Sequence, residues 1–256
     1  PVHINCQYRE PLSSGLSKEL IEKYLSGIKS FQRRHPYTKY AESKQMYENF
    51  TPLLEDISSA QNKKSLLIIG RLQTVEEEEA VMQLAEKLQW PVFADITSGL
   101  RLGNTSALHI SYLDLLLISF EDLLEEGFHT VIHIGGRICS KRMQQYLQKF
   151  KPKKYIAIVD HPYRQDPFHL LSQSIETDIS SFAYKLTELL KVNPFIKNVS
   201  LENLQWADHK AKELIEGIIE KEEKITELGI AHALTKYTPE GNALFLASSL
   251  SIRNID

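Results

Sequence analysis

Ser65-Leu66-Leu67-Ile68-Ile69-Gly70 is a continuous apolar run closed by a glycine. A run without polar alternation suits a strand buried on both faces, as interior strands of parallel sheets are. Working outward, Thr74 stands as a helix cap with Glu77 at the capping-box position, and an acidic helix is expected through Ala80, Leu84, Ala85 and Leu88. Pro91-Val92-Phe93-Ala94-Asp95 gives the next strand. Helical spacing over 106–117 and a shorter piece over 120–126 lead to Thr130-Val131-Ile132-His133-Ile134-Gly135-Gly136, a buried strand that ends in a glycine turn. A helix over 140–150, a strand over 154–160, a short strand over 170–175 and a helix over 178–191 complete the series. Strand and helix alternate at βαβ spacing from 65 to 191. That predicts an α/β fold, a three-layer Rossmann-like domain with a mostly parallel sheet.

The flanks are less regular. Residues 1–12 read as a strand with an exit closed by Pro11, and 16–31 as a helix capped by Ser17 and ended by His35-Pro36. Residues 37–50 read as a crossing linker, with a short helix inside 43–56. The region 201–235 is helical and rich in Glu, Lys and Ile, with a break near Gly229, and reads as a helical connector. Residues 243–247 predict a last short buried strand. It turns polar at Ser248-Ser249, with Arg253 four residues beyond Ser249. Hydroxyls beside a fixed positive charge suit a carboxylate or phosphate. The strand-like start at Pro1 and the abrupt close at Asp256 are expected of a piece of a longer polypeptide.

With 256 residues, 42% apolar and 25% charged, the chain can bury a full core and has ordinary globular composition. A net charge of −3 gives no global basic field to draw nucleic acid or membrane. No apolar run approaches the length of a membrane span. Cys6 and Cys139 suggest neither a metal site nor a disulfide framework, and a reducing cytoplasm or organelle stroma is the expected compartment.

Ligands of open α/β sheets sit at the carboxyl ends of strands. At Gly70-Arg71-Leu72 the dinucleotide fingerprint and the phosphate-loop lysine are missing, so a glycine turn with a surface arginine is favoured over a nucleotide site. Asp95-Ile96-Thr97-Ser98-Gly99-Leu100-Arg101 reads equally as a ligand loop or as a structural loop with an Asp95–Arg101 pair. After the strand at 130–134, Ser140 is placed to cap a helix whose first turn carries Lys141 and Arg142. The helix dipole disfavours cations there, so an anionic partner and two solvated charges are even readings. In Asp160-His161-Pro162-Tyr163-Arg164-Gln165-Asp166-Pro167 a structural Arg164–Asp166 turn outweighs a ligand loop. His133 reads as a satisfied core histidine. No Ser-His-Asp order, zinc spacing or paired catalytic carboxylate stands out. The residues themselves lead to an α/β domain with anion-friendly strand ends.

Taken in order, several of these stretches resemble one family. Pro1-Val2-His3-Ile4-Asn5 with Arg9-Glu10-Pro11-Leu12 is similar to the segment leaving the first domain of the thiamine diphosphate-dependent 2-succinyl-5-enolpyruvyl-6-hydroxy-3-cyclohexene-1-carboxylate synthases, the MenD family. Gly70-Arg71, Trp90-Pro91, Ala94-Asp95, Ser98 to Arg101, Gly135 with Ser140-Lys141-Arg142, and Val159-Asp160 with Arg164 and Asp166-Pro167 follow in the family's order. Phe245 to Asp256 resembles the segment that opens the family's last domain, with Ala247-Ser248 where the family usually has Gly-Asn. Ser248 offers no amide side chain.

The resemblance implies a domain plan. Residues 1–12 end a first, pyrimidine-binding domain, 13–64 are linker and helices, and 65–195 are the central α/β domain. Residues 196–240 are the helical connector, and 241–256 begin a third, diphosphate-binding domain. It implies decarboxylation of 2-oxoglutarate on thiamine diphosphate with Mg2+ or Mn2+, and addition of the resulting carbanion to isochorismate, in menaquinone or phylloquinone biosynthesis. Lys141 and Arg142 match the family's middle-domain basic pair that contacts substrate carboxylates. Ser249 and Arg253 match a serine and arginine that contact the intermediate and isochorismate. The implied parent is a homodimer or homotetramer, cytoplasmic or, in a photosynthetic eukaryote, plastidic. The catalytic glutamate and the metal–diphosphate motif have no counterpart in residues 1–256. This piece alone is therefore expected to be inactive and to bind no thiamine diphosphate, which calorimetric titration with cofactor and metal checks. Two other readings stand beside this one. One is the middle domain of an acetolactate-synthase-type enzyme, where a flavin or adenine nucleotide is sometimes bound. The other is a non-catalytic α/β module for anion binding or assembly.

Overall fold

The structure is a computed structural model that describes residues 17–27, 46–60, 63–102, 106–119, 126–190, 199–239, 242, 244–246 and 250–255. The chain divides into two units, Pro1–Ser43 and Lys44–Asp256. In the first, α1 (Lys18–Ser26) starts at Ser17, whose hydroxyl accepts the Leu20 N–H at 3.3 Å as its sequence predicts. The strand expected over 1–12 and the far end of the helix expected over 16–31 lie outside the described residues.

The second unit runs α2 (Thr51–Ser59), β1 (Ser65–Ile69), α3 (Val75–Leu88), β2 (Val92–Ala94), α4 (Leu113–Ser119), β3 (Thr130–Ile134), α5 (Lys141–Lys149), β4 (Lys154–Val159), β5 (Gln173–Glu176), α6 (Ile179–Leu189), α7 (Val199–Lys221), α8 (Glu227–Tyr237) and α9 (Leu250–Ile255). The five strands form one sheet in the order β2-β1-β3-β4-β5, and every neighbouring pair is parallel. The β1–β2 connection runs one way across the sheet and the later ones run the other. Right-handed crossovers therefore put α3 on one face and α4 and α5 on the opposite face. Consistent with that, α6 packs on α3, while α4 meets α5 and α7. This is the expected three-layer α/β architecture. Leu66, Leu67, Ile68 and Ile69 of β1 are fully buried between the layers. Phe50, at the start of α2, packs its ring 5.2 Å from Phe182 of α6.

Caps set the helix starts. The Thr74 hydroxyl accepts the Glu77 N–H at 3.2 Å, and the Glu77 carboxylate reaches back to the Gln73 N–H at 2.6 Å. The reciprocal bond of the box thus lands one residue before the cap. Ser140 caps α5 through the Met143 N–H at 2.9 Å, and Asp178 caps α6 through Ser181.

Four expectations need correction. Residues 106–112 are not helical: Val92 donates to Leu108 O at 2.8 Å and accepts from Ile110 at 3.0 Å, so Leu108 to Ile110 run beside the free edge of β2. Their apolar spacing serves that edge, and helix begins only at Leu113. The last strand of the sheet starts at Gln173 rather than 170. The connector breaks between Lys221 and Glu227, not at Gly229. Thr226 caps α8 by accepting the Gly229 N–H at 3.1 Å, which puts Gly229 inside the first turn. No strand forms over 244–246, the described part of the strand expected at 243–247, and Phe245 is 96% exposed. A strand needs a ladder of backbone partners, and 244–246 form none. The helical piece expected over 120–126 falls mostly outside the described residues. Among the described residues no helix is long and apolar enough to cross a membrane.

The connector is anchored by polar contacts. Asp208 on α7 accepts the Tyr112 N–H at 2.6 Å, just ahead of α4, and Gln205 donates to Ala107 O at 2.7 Å. Beside them Arg101 Nη1 lies 3.5 Å from His109 Nε2. Arginine only donates, so that nitrogen is bare and His109 is neutral. Burial, helped by the Arg101 charge, pushes its pKa from 6.5 down to about 4. Between those values the unfolded chain binds a proton that the folded chain refuses, so stability falls as pH drops through this window and levels off below it. The span corresponds to roughly 3 kcal/mol. Urea titrations of His109→Gln are expected to show a clearly smaller stability loss from pH 6.5 to pH 4 than the unsubstituted chain. Equal losses would refute a neutral, buried His109.

Candidate functional site

β1 and β3 lie side by side although β2 comes between them in sequence, so connection direction reverses there. This is where open α/β sheets take ligands. Here the gap is closed by backbone. Gly136 N–H donates to Arg71 O at 2.8 Å, and Gly70 N–H to Ile134 O at 2.9 Å. A Cβ on Gly70 would lie 1.9 Å from Gly136 O. Gly135, at φ 90°, has its missing Cβ position 2.6 Å from Arg71 O. These glycines let two turns meet each other rather than a phosphate, in keeping with the glycine-turn reading of Gly70-Arg71.

Lys141 and Arg142 sit in the first turn of α5, just past this closure. Two acids hold that helix start. Asp95, at the end of β2 and 1% exposed, accepts the N–H groups of Cys139 at 2.6 Å and Ser140 at 3.4 Å. It also accepts the Thr97 N–H at 3.0 Å and the Thr97 hydroxyl at 2.6 Å. Of the two readings of this loop the structural one fits, but with other partners than Arg101, which faces His109. Asp114, in the first turn of α4, accepts the Ser140 hydroxyl and forms an ion pair with Arg142 at 3.7 Å. The anion that offsets the dipole's penalty on Arg142 is thus partly supplied by the chain itself. Lys141 is exposed. Sequence reasoning found the cations and missed both acids. Asp95 stood out as a member of a ligand loop or as a partner of Arg101, not as an acceptor for α5, and nothing near Asp114 in sequence points to α5.

His133 is satisfied inside the fold. Its Nε2 donates to Gly136 O at 2.9 Å, and its Nδ1 lies 3.2 Å from the Tyr155 hydroxyl, which then donates to it. Burial lowers its pKa, with the Gly136 bond opposing, and keeps the ring neutral. Asp166 accepts from Leu170 at 2.9 Å and Leu171 at 3.0 Å, with Arg164 at 3.8 Å, so it shapes its own loop as expected. That loop roofs a cavity of about 400 Å³ whose walls include His133, Arg137, Gln144, Tyr155, Arg164 and Ser172.

Ser249 and the Arg253 side chain lie outside what is described, though Arg253 falls within α9. Lys141 and Arg142 are neighbours in the first turn of α5, and the structure does not relate them to the other two predicted residues. Among the described residues no group of three or more His, Cys, Asp or Glu could hold a metal ion. With the β1–β3 crevice closed as well, the described residues do not fit a metal–diphosphate group.

Comparison with known proteins gives a consistent picture. Residues 22–246 match the family model described as the middle domain of thiamine pyrophosphate. The whole chain is 33% identical over 271 residues to Protein PHYLLO, chloroplastic, of Arabidopsis thaliana, and spans 16% of that protein. It is 29% identical over 259 residues to the 2-succinyl-5-enolpyruvyl-6-hydroxy-3-cyclohexene-1-carboxylate synthase of Rubrobacter xylanophilus, of which it spans 43%. A solved thiamin diphosphate-dependent enzyme from Mycobacterium smegmatis aligns with 64% of the chain, and 32% of its own, at 17% identity and a TM-score of 0.41, a likeness too slight to argue from.

Proposed function

The chain belongs to the middle-domain family of thiamine pyrophosphate enzymes, and from that premise we propose that it is the central domain of a carboligase. The whole protein decarboxylates 2-oxoglutarate and adds the resulting carbanion to isochorismate, in menaquinone or phylloquinone biosynthesis. Relatives named as the corresponding synthase, aligned over the full chain, support this. Residues 65–195 are the central domain and 196–240 the connector, while 1–12 and 241–256 belong to the flanking cofactor-binding domains. Thiamine diphosphate and Mg2+ or Mn2+ are held by those domains, in a homodimer or homotetramer. The present chain by itself does not turn over. The compartment follows the host: cytoplasm in a bacterium, plastid in a photosynthetic eukaryote.

The observation that carries the reading is the Lys141–Arg142 pair, held at a helix start at the carboxyl edge of a parallel sheet. Two cations placed against the dipole suit a substrate with several carboxylates. With Ser249 and Arg253 they form the substrate-binding set. In the full-length protein, Lys141→Ala and Arg142→Ala each remove a charge-assisted contact worth about 1.5–3 kcal/mol. That corresponds to roughly 10- to 100-fold in kcat/KM for isochorismate. Decarboxylation of 2-oxoglutarate, followed with an artificial acceptor, is expected to fall less than about threefold. Equal loss of both activities would count against recognition of the second substrate.

One observation favours a second role beside this one. Arg137 and Arg164 in the wall of the cavity under the 160–172 loop suit a small anion. If the Lys141 and Arg142 variants keep full carboligation, that non-catalytic, anion-binding reading replaces the first. The closed β1–β3 crevice weighs against a flavin or adenine nucleotide of the acetolactate-synthase type.

A further inference from the structure

Three backbone donors at the start of α5 are taken by the chain itself. Cys139 and Ser140 give their N–H groups to Asp95, and Met143 gives its own to the Ser140 hydroxyl. That leaves the N–H groups of Lys141 and Arg142, so an anion arriving here meets few backbone donors and is held chiefly by side chains, whose orientation then bears on binding. Lys141 and Arg142 are consecutive, and consecutive helical residues point about 100° apart. The helix alone does not aim them at one ligand.

Asp114 supplies the missing constraint for one of them. One oxygen accepts the Ser140 hydroxyl, which is itself tied to the first turn of α5, and the other faces Arg142 Nη1 at 3.7 Å. The Asp114 side chain is 20% exposed and that of Arg142 50% exposed, so a mostly covered acceptor holds a half-open cation. A guanidinium has five N–H donors in a rigid fork, and this one contact leaves others for a ligand carboxylate. We propose that Asp114 is a positioning residue: it holds Arg142 in the orientation in which the anionic acceptor substrate is gripped, and leaves Lys141 as the mobile second cation. This rests on the reading of the Lys141–Arg142 pair as a substrate site.

The experiment is a double-mutant cycle in the full-length protein, reading KM for isochorismate, kcat and the melting midpoint. Asp114→Asn is expected to raise KM about fivefold to tenfold with kcat within about twofold, because orientation rather than chemistry is lost. In an Arg142→Ala background the same change is expected to add less than about twofold. Asp114→Glu, which keeps the charge but displaces it, should fall between Asp114→Asn and the unsubstituted protein, and it takes over the cycle if Asp114→Asn melts early. An unchanged KM in Asp114→Asn, beside an impaired Arg142→Ala, overturns the positioning role alone. Full additivity of the two changes overturns it too. An Arg142→Ala variant with unchanged KM sinks the substrate-site reading itself.

Discussion

Gly70→Val is expected to destabilise the domain by about 3 kcal/mol or more, the range reserved for changes that force buried backbone apart. A Cβ at position 70 would lie 1.9 Å from Gly136 O and 2.9 Å from His133 Nε2. The nearer atom is main chain, so no rotamer change relieves the overlap. Moving it would break the Gly136 N–H to Arg71 O bond of 2.8 Å and strain the His133 contact together. The control is Gly217→Ala on α7, where a Cβ meets nothing within 4 Å. There the same kind of change is expected to stabilise by about 0.5–1 kcal/mol, because glycine is a poor helix former. Denaturant unfolding of both variants checks the contrast. A Gly70 variant within about 1 kcal/mol of the parent, the ordinary size of a mutational effect, would mean that the two turns do not meet as described.

Asp95→Ala is the second large effect. It strips the acceptor from the N–H groups of Thr97, Cys139 and Ser140 at a position that is 1% exposed. Each buried donor left unpaired costs roughly 1–3 kcal/mol, so a loss of about 3 kcal/mol is expected. Asp95→Asn should recover only part of it, since an amide that accepts from Thr97 turns its own NH2 toward the Cys139 N–H. The change should also reach function, because Cys139 and Ser140 lead into Lys141 and Arg142. Hydrogen exchange at the Cys139 amide is expected to speed up in Asp95→Ala more than exchange in β1. Unchanged protection at Cys139 would remove Asp95 from this role.

The central fold was legible because β1, β3 and β4 are continuous apolar runs ended by glycine or aspartate, and because Thr74 and Ser140 announce their helices. Residues 106–112 were not legible. Leu108 and Ile110, two apart, share a side only in extended chain, but so short an alternation is masked by the helical spacing that runs on to Leu117, and pairing with Val92 is what decides. At the site, Lys141 and Arg142 could be read because a strand, a glycine turn and a cap lead straight to them. Asp114 could not, since its value lies in the packing of α4 on α5 and in no local pattern. Ser249 and Arg253 were read as anion-friendly from hydroxyls spaced before an arginine, and their particular roles from resemblance alone.

The strand order also fits the direction of synthesis. As the chain leaves a ribosome, β1 comes first, β2 can settle on one side of it and β3 on the other, then β4 beside β3 and β5 beside β4. Every newcomer finds an open border, and none must be threaded between two strands already joined. When β3 docks, its trailing Gly135-Gly136 meets Gly70-Arg71 and fastens the β1–β3 seam before β4 and β5 add to the sheet. Among the described residues the borders left are short: three residues of β2, flanked by His109, and four of β5. Borders this small offer another chain little to extend.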